Sequence, residues 1–140
     1  MFTDKKDSFI YEYIYEKMGV TKEQISSKSR LREVVDSRRL YMYLLRNYFG
    51  LTFHKIGRLV GNDHSSVIAN CKRFEEYQHI YPKITDLPYK DMCFQLDIMN
   101  NSIDNQVEDL KEQIILINQK IDKLITIKQL TNGRRKKLHS

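Results

Sequence analysis

Long apolar runs are missing from this 140-residue chain, and so is any stretch built like a secretory leader. The expectation is therefore a soluble, cytoplasmic protein with no membrane partner. Cysteine is scarce. Cys71 and Cys93 alone cannot build the dense framework that staples small secreted domains. Cys71 falls in a helix carrying Val67, Ile68 and Phe74 and reads as a small buried hydrophobe. Proline occurs only at Pro82 and Pro88, which marks the stretch around them as a break between helices. None of the five glycines belongs to a G-x-x-x-x-G-K-[ST] loop, so no ATPase module, nucleotide or other cofactor is expected. Paired carboxylates, a nucleophile–base set and a metal cluster are all lacking. The nine tyrosines read as core residues at helical spacing, so the chain is not expected to be an enzyme.

What the chain does have is uneven charge. Its net charge is +6. Between Lys28 and Arg73 there are ten Lys/Arg against Glu33, Asp36 and Asp63, a balance of +7. From Asp91 to Leu130 four lysines face seven acids, a balance of −3. A concentrated basic block beside a mildly acidic remainder is the footprint of a phosphate-binding surface.

The hydrophobic periodicity is helical throughout, giving an all-α expectation. A first helix begins near Lys5 or Ser8, buries Phe9, Ile10, Tyr13, Ile14 and Met18, and ends at Gly19. Thr21-Lys22-Glu23-Gln24 fits a capping box for a short second helix, and Ser26 to Arg32 reads as a polar, basic loop. Ser37 is the expected N-cap of a long helix burying Leu40, Tyr41, Leu44, Leu45 and Tyr48. Gly50 stops it in a left-handed turn. Thr52 caps a short helix with Ile56, Leu59 and Val60 inward, where Gly57 allows two backbones to approach closely. After Gly61, either Asn62 or Asp63 caps a helix expected to bury Val67, Ile68, Cys71 and Phe74. Its first turn, Asp63-His64-Ser65-Ser66, has no apolar residue before Val67. A support helix, a short turn and a second helix with an outward polar first turn is the layout of a helix-turn-helix.

The expected organisation is a DNA-binding domain over 1–78, a linker over 79–90, a coiled-coil helix over 91–132 ending at Asn132-Gly133, and a basic tail over 133–140. The coiled-coil reading rests on heptads with Val107, Ile114 and Ile121 at a and Ile103, Leu110, Ile117 and Leu124 at d. Extended backward, Asn100 falls at a and Leu96 at d. β-branched a positions with one asparagine favour a parallel homodimer. Isoleucine at d, with Ile115, Ile125 and Ile127 outside the seam, leaves a higher oligomer or an intramolecular partner open.

The segment Ser37–Tyr77 also resembles the DNA-binding domain of the bacterial replication initiator DnaA. The resemblance lies in Arg38, the helix Leu40–Tyr48, Ile56-Gly57, Asp63-His64-Ser65-Ser66-Val67 and Cys71-Lys72-Arg73, and it extends over about Ser8 to Tyr77. It implies a compact Trp-repressor-like domain that binds a short site in double-stranded DNA, here as a stand-alone domain without the initiator's ATPase. By that resemblance Asp63, His64 and Ser65 read bases and Ser66 meets a phosphate. Asp63 can accept from a cytosine amino group, and His64 and Ser65 can bond base edges; a plain N-cap is an equal and compatible role for Asp63. The resemblance further places Arg32, with Lys28 and Arg30 nearby, in the minor groove, where a narrow A·T tract concentrates negative potential. It also makes Arg38 a DNA contact, with Arg39 at a position usually held by glutamine. Arg46, Thr52 and Lys55 are placed to meet phosphates. For Lys55, Arg58, Lys72 and Arg73, a solvated surface charge is as good a reading as contact. The turn Val60-Gly61-Asn62-Asp63 is one residue shorter than the usual family form, and Ser37 stands where the family's basic loop commonly has proline.

Two functions follow. One is a sequence-specific duplex-DNA-binding protein, regulating transcription or replication for a cell or a phage or mobile element and oligomerised by its C-terminal helix. The other is a coiled-coil adaptor for a replication or viral protein, with DNA contact secondary.

Overall fold

Side-chain caps that stand in the sequence open four of the first five helices, while the third and sixth begin where local signals did not place them. The computed structural model describes residues 2–139, though not the side chains of Ile103 and 135–139. The order is α1 Asp4–Met18, α2 Lys22–Ile25, α3 Arg32–Asn47, α4 Phe53–Val60, α5 His64–Gln78, α6 Asp86–Asn100 and α7 Ile103–His139. No strand occurs among the described residues, and the fold is all-α. The chain divides into two units, one through Asp97 and one from Ile98 onward.

Caps define the first unit. Thr3 and Gly19 bound α1, and the Thr21–Gln24 capping box opens α2 as its sequence requires. Thr52 Oγ1 accepts the Lys55 amide at 3.2 Å to start α4. Asp63, not Asn62, caps α5, its carboxylate accepting the Ser66 amide at 2.7 Å. The core beneath is made by Ile10 and Ile14 of α1, Ile25 of α2, Leu40, Tyr41, Leu44 and Leu45 of α3, Ile56 and Val60 of α4, and Val67 and Phe74 of α5. Leu59 and Ile68 are exposed at 38% and 43%, against the expectation that both point inward. Tyr48 is only half-buried.

Two boundaries of the first unit differ from the sequence expectation. The long helix starts at Arg32, five residues before Ser37; the Ser37 side chain is fully buried and its hydroxyl faces Met18 Sδ at 3.1 Å. Leu31 therefore occupies the N-cap, without a side-chain cap bond. The expected linker over 79–90 is largely structured. Pro88 falls in the first turn of α6, where no backbone N–H has an intrahelical partner to lose. Met92 and Leu96 are both fully buried, so Leu96 belongs to the core of this unit and not to a heptad seam. Tyr13 Oη donates to Asp91 at 2.6 Å and Tyr48 Oη to Asp97 at 2.6 Å, tying α6 to α1 and α3.

In the second unit, α6 ends at Asn100 and Ser102 caps α7, accepting the Asn105 amide at 3.2 Å. The break separates Asn100 from the heptads that follow, so it cannot set register on the same helix. Val107, Leu110, Ile114, Ile117, Ile121 and Leu124 are all exposed, between 40% and 66%. The helix does not stop at Asn132-Gly133 but continues to His139. The expected seam residue Ile103 and the basic tail residues Arg135, Lys136 and Lys137 have side chains outside the described set, and Ser140 lies outside it altogether.

Candidate nucleic-acid interface

α4 and α5 make the turn on which the site depends. Gly57 and Asn62 approach so closely that a Cβ on Gly57 would lie 2.4 Å from the Asn62 carbonyl oxygen. The Asn62 amide meanwhile donates to the Gly57 carbonyl at 2.9 Å. Gly61 takes φ +73°, which closes the turn without the strain a side chain would bring. The first turn of α5 is thereby held outward. Asp63, His64 and Ser65 are exposed and Ser66 is half-buried. Ser65, Ile68, Ala69 and Lys72 follow at helical spacing and are all exposed, so one open face of α5 runs from a polar start through an exposed methyl-bearing side chain to a lysine. Ile68, expected in the core, belongs to this face.

His64 does not stand alone. Its ring stacks on His54 at 4.2 Å between centroids and 29° between planes. His54 gives no sign of this in sequence, because the pairing exists only once α4 and α5 are packed. Asn70 is a second residue that sequence reasoning missed. Its amide donates to the Ser66 carbonyl at 2.9 Å while its oxygen accepts from Arg39 Nε at 3.1 Å. The i to i+4 spacing from Ser66 was its only local signal.

The arginines divide into different kinds. Arg38 is expected to contact DNA, but it spends its donors on the protein. Nε donates to the Ile25 carbonyl at 2.8 Å, Nη2 to Ser27 at 2.7 Å, and Ser29 and Gln24 carbonyls are each reached at 3.3 Å. Burial, and after it the nearby charge of Arg39, lowers its pKa, but a guanidinium has ample margin to stay charged. The carbonyl bonds make Arg38 a brace for the loop between α2 and α3. Arg46 likewise donates to the Leu51 carbonyl at 3.0 Å and lies 4.1 Å over the Phe53 ring, bracing the turn into α4. Arg32 is on the first turn of α3, not in a loop, with its side chain 70% exposed and Nε 3.8 Å from Asp36. Burial pushes the Asp36 carboxyl pKa up, against the pull of Arg32 and Arg39.

Lys55, Arg58, Lys72 and Arg73 are exposed. Arg73 sits 3.8 Å from Glu76, with both side chains more than half exposed, so that pair adds little stability. Thr52 is exposed and holds the α4 cap. Burial pushes the Cys71 thiol up to about 11, consistent with an inert core residue. Among the described residues no group of three or more His, Cys, Asp or Glu is placed to hold a metal, and no helix is long and apolar enough to cross a membrane.

Comparison with known families gives the site its context. Residues 8–74 match the family described as the bacterial dnaA protein helix-turn-helix. That segment is a DnaA-type helix-turn-helix domain. Among relatives, the chromosomal replication initiator protein DnaA of Kosmotoga olearia is 37% identical over 71 residues, 51% of this chain and 16% of the relative. The DnaA of Gloeobacter violaceus is 35% identical over 82 residues, 58% and 19% of the two. The DnaA of Bacteroides thetaiotaomicron is 49% identical over 49 residues, 34% and 10%. The chain thus spans under one fifth of the length of these relatives. The family-model match stops at Phe74, short of the end of α5 and of α6 and α7, while the 82-residue match to the Gloeobacter violaceus protein is longer and extends past Phe74.

Proposed function

We propose that this chain binds a specific double-stranded DNA sequence through its DnaA-type domain and acts in control of replication or transcription, on a bacterial chromosome, a phage genome or a mobile element. The observation that carries this reading is the outward first turn of α5, held by the Asp63 cap and the close Gly57–Asn62 contact. His64 and Ser65 are the base-reading residues, and the free oxygen of Asp63 is available to a cytosine amino group. Ile68 offers a methyl surface to thymine. Ser66, Thr52, Lys55, Lys72 and Arg73 meet phosphates, while Arg32 and Arg39 reach the backbone or minor groove. Selection of bound sequences from a random duplex pool tests the reading: a discrete motif is expected, and recovery of unrelated sequences would overturn specificity.

Affinity should be strongly salt-dependent. If about five phosphates are neutralised, log K falls with log[salt] at a slope of about −4 to −5. A slope near zero in a salt titration would remove the basic surface as the binding face.

α7 adds self-association to this function. Its exposed seam of Val107, Leu110, Ile114, Ile117, Ile121 and Leu124 is an apolar stripe that a partner helix would cover. With Asn100 off the helix, the isoleucines at both a and d argue for more than two strands as readily as for a dimer. Joining copies raises the effective concentration of recognition helices at paired half-sites. Full-length protein should sediment as an oligomer at tens of micromolar, an order-of-magnitude choice for a weak coiled coil, and an Ile114→Asn/Ile121→Asn variant as a monomer. Truncation before α6 is unsuitable, because it removes Met92 and Leu96 from the core. A monomeric wild type would favour the adaptor reading, with the seam kept for a different protein.

A further inference from the structure

A chain of side chains leads from the start of α3 to the start of α5, and its middle lies outside the segment that the family model matches. The Arg32 guanidinium sits 5.5 Å over the Tyr81 ring. Tyr81 meets Tyr77 edge-on at 5.4 Å and 89°. The Arg39 guanidinium sits 5.5 Å over Tyr77, and Arg39 continues through Asn70 to the Ser66 carbonyl at 3.1 and 2.9 Å. Arg30, Arg32, Arg39, Asp36 and both tyrosines line one cleft of about 350 Å³.

The tyrosines are not loosely placed. The Tyr81 amide donates to the Tyr77 carbonyl at 2.7 Å, and the buried Thr85 hydroxyl donates to the Tyr81 carbonyl at 2.8 Å. Thr85 itself directly precedes α6, whose Met92 and Leu96 are locked in the core. The segment after the family-model match is therefore anchored, and it presents two aromatic faces to two guanidiniums, that of Arg39 held elsewhere by Asn70 and that of Arg32 3.8 Å from Asp36. A cation held over a ring loses part of its rotamer freedom before any ligand arrives, so less is lost on binding.

We infer that Tyr77 and Tyr81 are positioning residues that pre-orient Arg39 and Arg32 for DNA, making the chain beyond Phe74 a determinant of site preference. This rests on the proposed DNA-binding function. Neither tyrosine need touch DNA. Tyr81 acts through Arg32, and Tyr77 acts through Arg39, whose other bond runs to the α5 first turn.

The test uses the full chain, with affinity measured on one selected core carrying either A·T-rich or G·C-rich flanks. Arg32→Ala should lower the preference between the flanks. Tyr81→Leu should lower it by about two- to fivefold, the range expected for one exposed cation–aromatic contact. Tyr81→Phe should restore it, since the ring face is kept. In an Arg32→Ala background, Tyr81→Leu should have no further effect. A second arm needs no DNA: nuclear magnetic resonance of the free protein should show ring-current shifts at the Arg32 side chain that vanish in Tyr81→Leu and persist in Tyr81→Phe. A thermal melt close to wild type separates positioning from loss of fold. Unchanged flank preference in Tyr81→Leu, or an undiminished Tyr81→Leu effect without Arg32, would overturn the inference while DNA binding stands. Intact ring-current shifts in a protein that binds no duplex would instead mark failure of the DNA-binding reading, and the inference would fall with it.

Discussion

Replacing Phe74 by alanine should lower stability by about 3–5 kcal/mol, the cost of emptying a large aromatic site in a packed core. Phe74 is 1% exposed, stacks on Tyr43 at 4.4 Å and meets Tyr89 edge-on at 6.3 Å. Tyr43 and Tyr89 also touch directly at 5.0 Å, so the three rings join α3, α5 and α6. The cavity is bounded by rigid rings from three helices and has little freedom to collapse. For a domain of this size the melting midpoint should fall by about 12–40 °C, at roughly 4–8 °C per kcal/mol. A thermal melt followed by circular dichroism checks this. A fall of only a few degrees would mean that α6 is not docked through these rings.

Gly57→Ala should be harmful although alanine is the better helix former. The propensity gain is about 1 kcal/mol. Against it stands a Cβ placed 2.4 Å from the Asn62 carbonyl oxygen, a backbone atom that cannot rotate away. Overpacking of this kind costs about 1–3 kcal/mol, more when backbone must move. The relief available is a shift of the Gly61–Asp63 turn, which would carry the α5 first turn with it. Binding to the selected DNA site should therefore drop more than binding to random duplex, by tenfold or so for each 1.4 kcal/mol lost at the base contacts. A Gly57→Ala protein with unchanged melting and unchanged specificity would show that the turn has slack.

These two residues illustrate what was legible beforehand. Local chemistry left the α5 cap open between Asn62 and Asp63, whereas the close approach at Gly57 depends on a handful of adjacent residues and local chemistry sufficed to place it. The same holds for Thr52, for the Thr21–Gln24 capping box and for the outward polar turn of α5. The boundary at Ser37 misled because serine caps helices well, yet here Val34 is buried ahead of it and the helix gains a turn that docks in the core. Pro82 and Pro88 suggested a linker, but proline tolerates the first turn of a helix, and only the core shows that Met92 and Leu96 have partners. The heptad pattern ran through Asn101–Ser102 because periodicity alone does not register a break. The resemblance made Arg38 a DNA contact but said nothing of its four carbonyl partners, which lie nine to fourteen residues away in sequence. The His54–His64 stack is a product of tertiary packing and had no local signature, whereas Tyr77 and Tyr81 are four residues apart and their contact is local; only the arginines over the two rings come from packing.

The central claim is that the first turn of α5 reads bases. It is tested most directly by measuring His64→Ala binding to the selected duplex and to random duplex of equal length at one salt concentration. The predicted result is a loss of about 1–3 kcal/mol on the selected site and little change on random DNA, the pattern of a side chain that touches a base edge. Equal losses on both duplexes, or none on either, would contradict it.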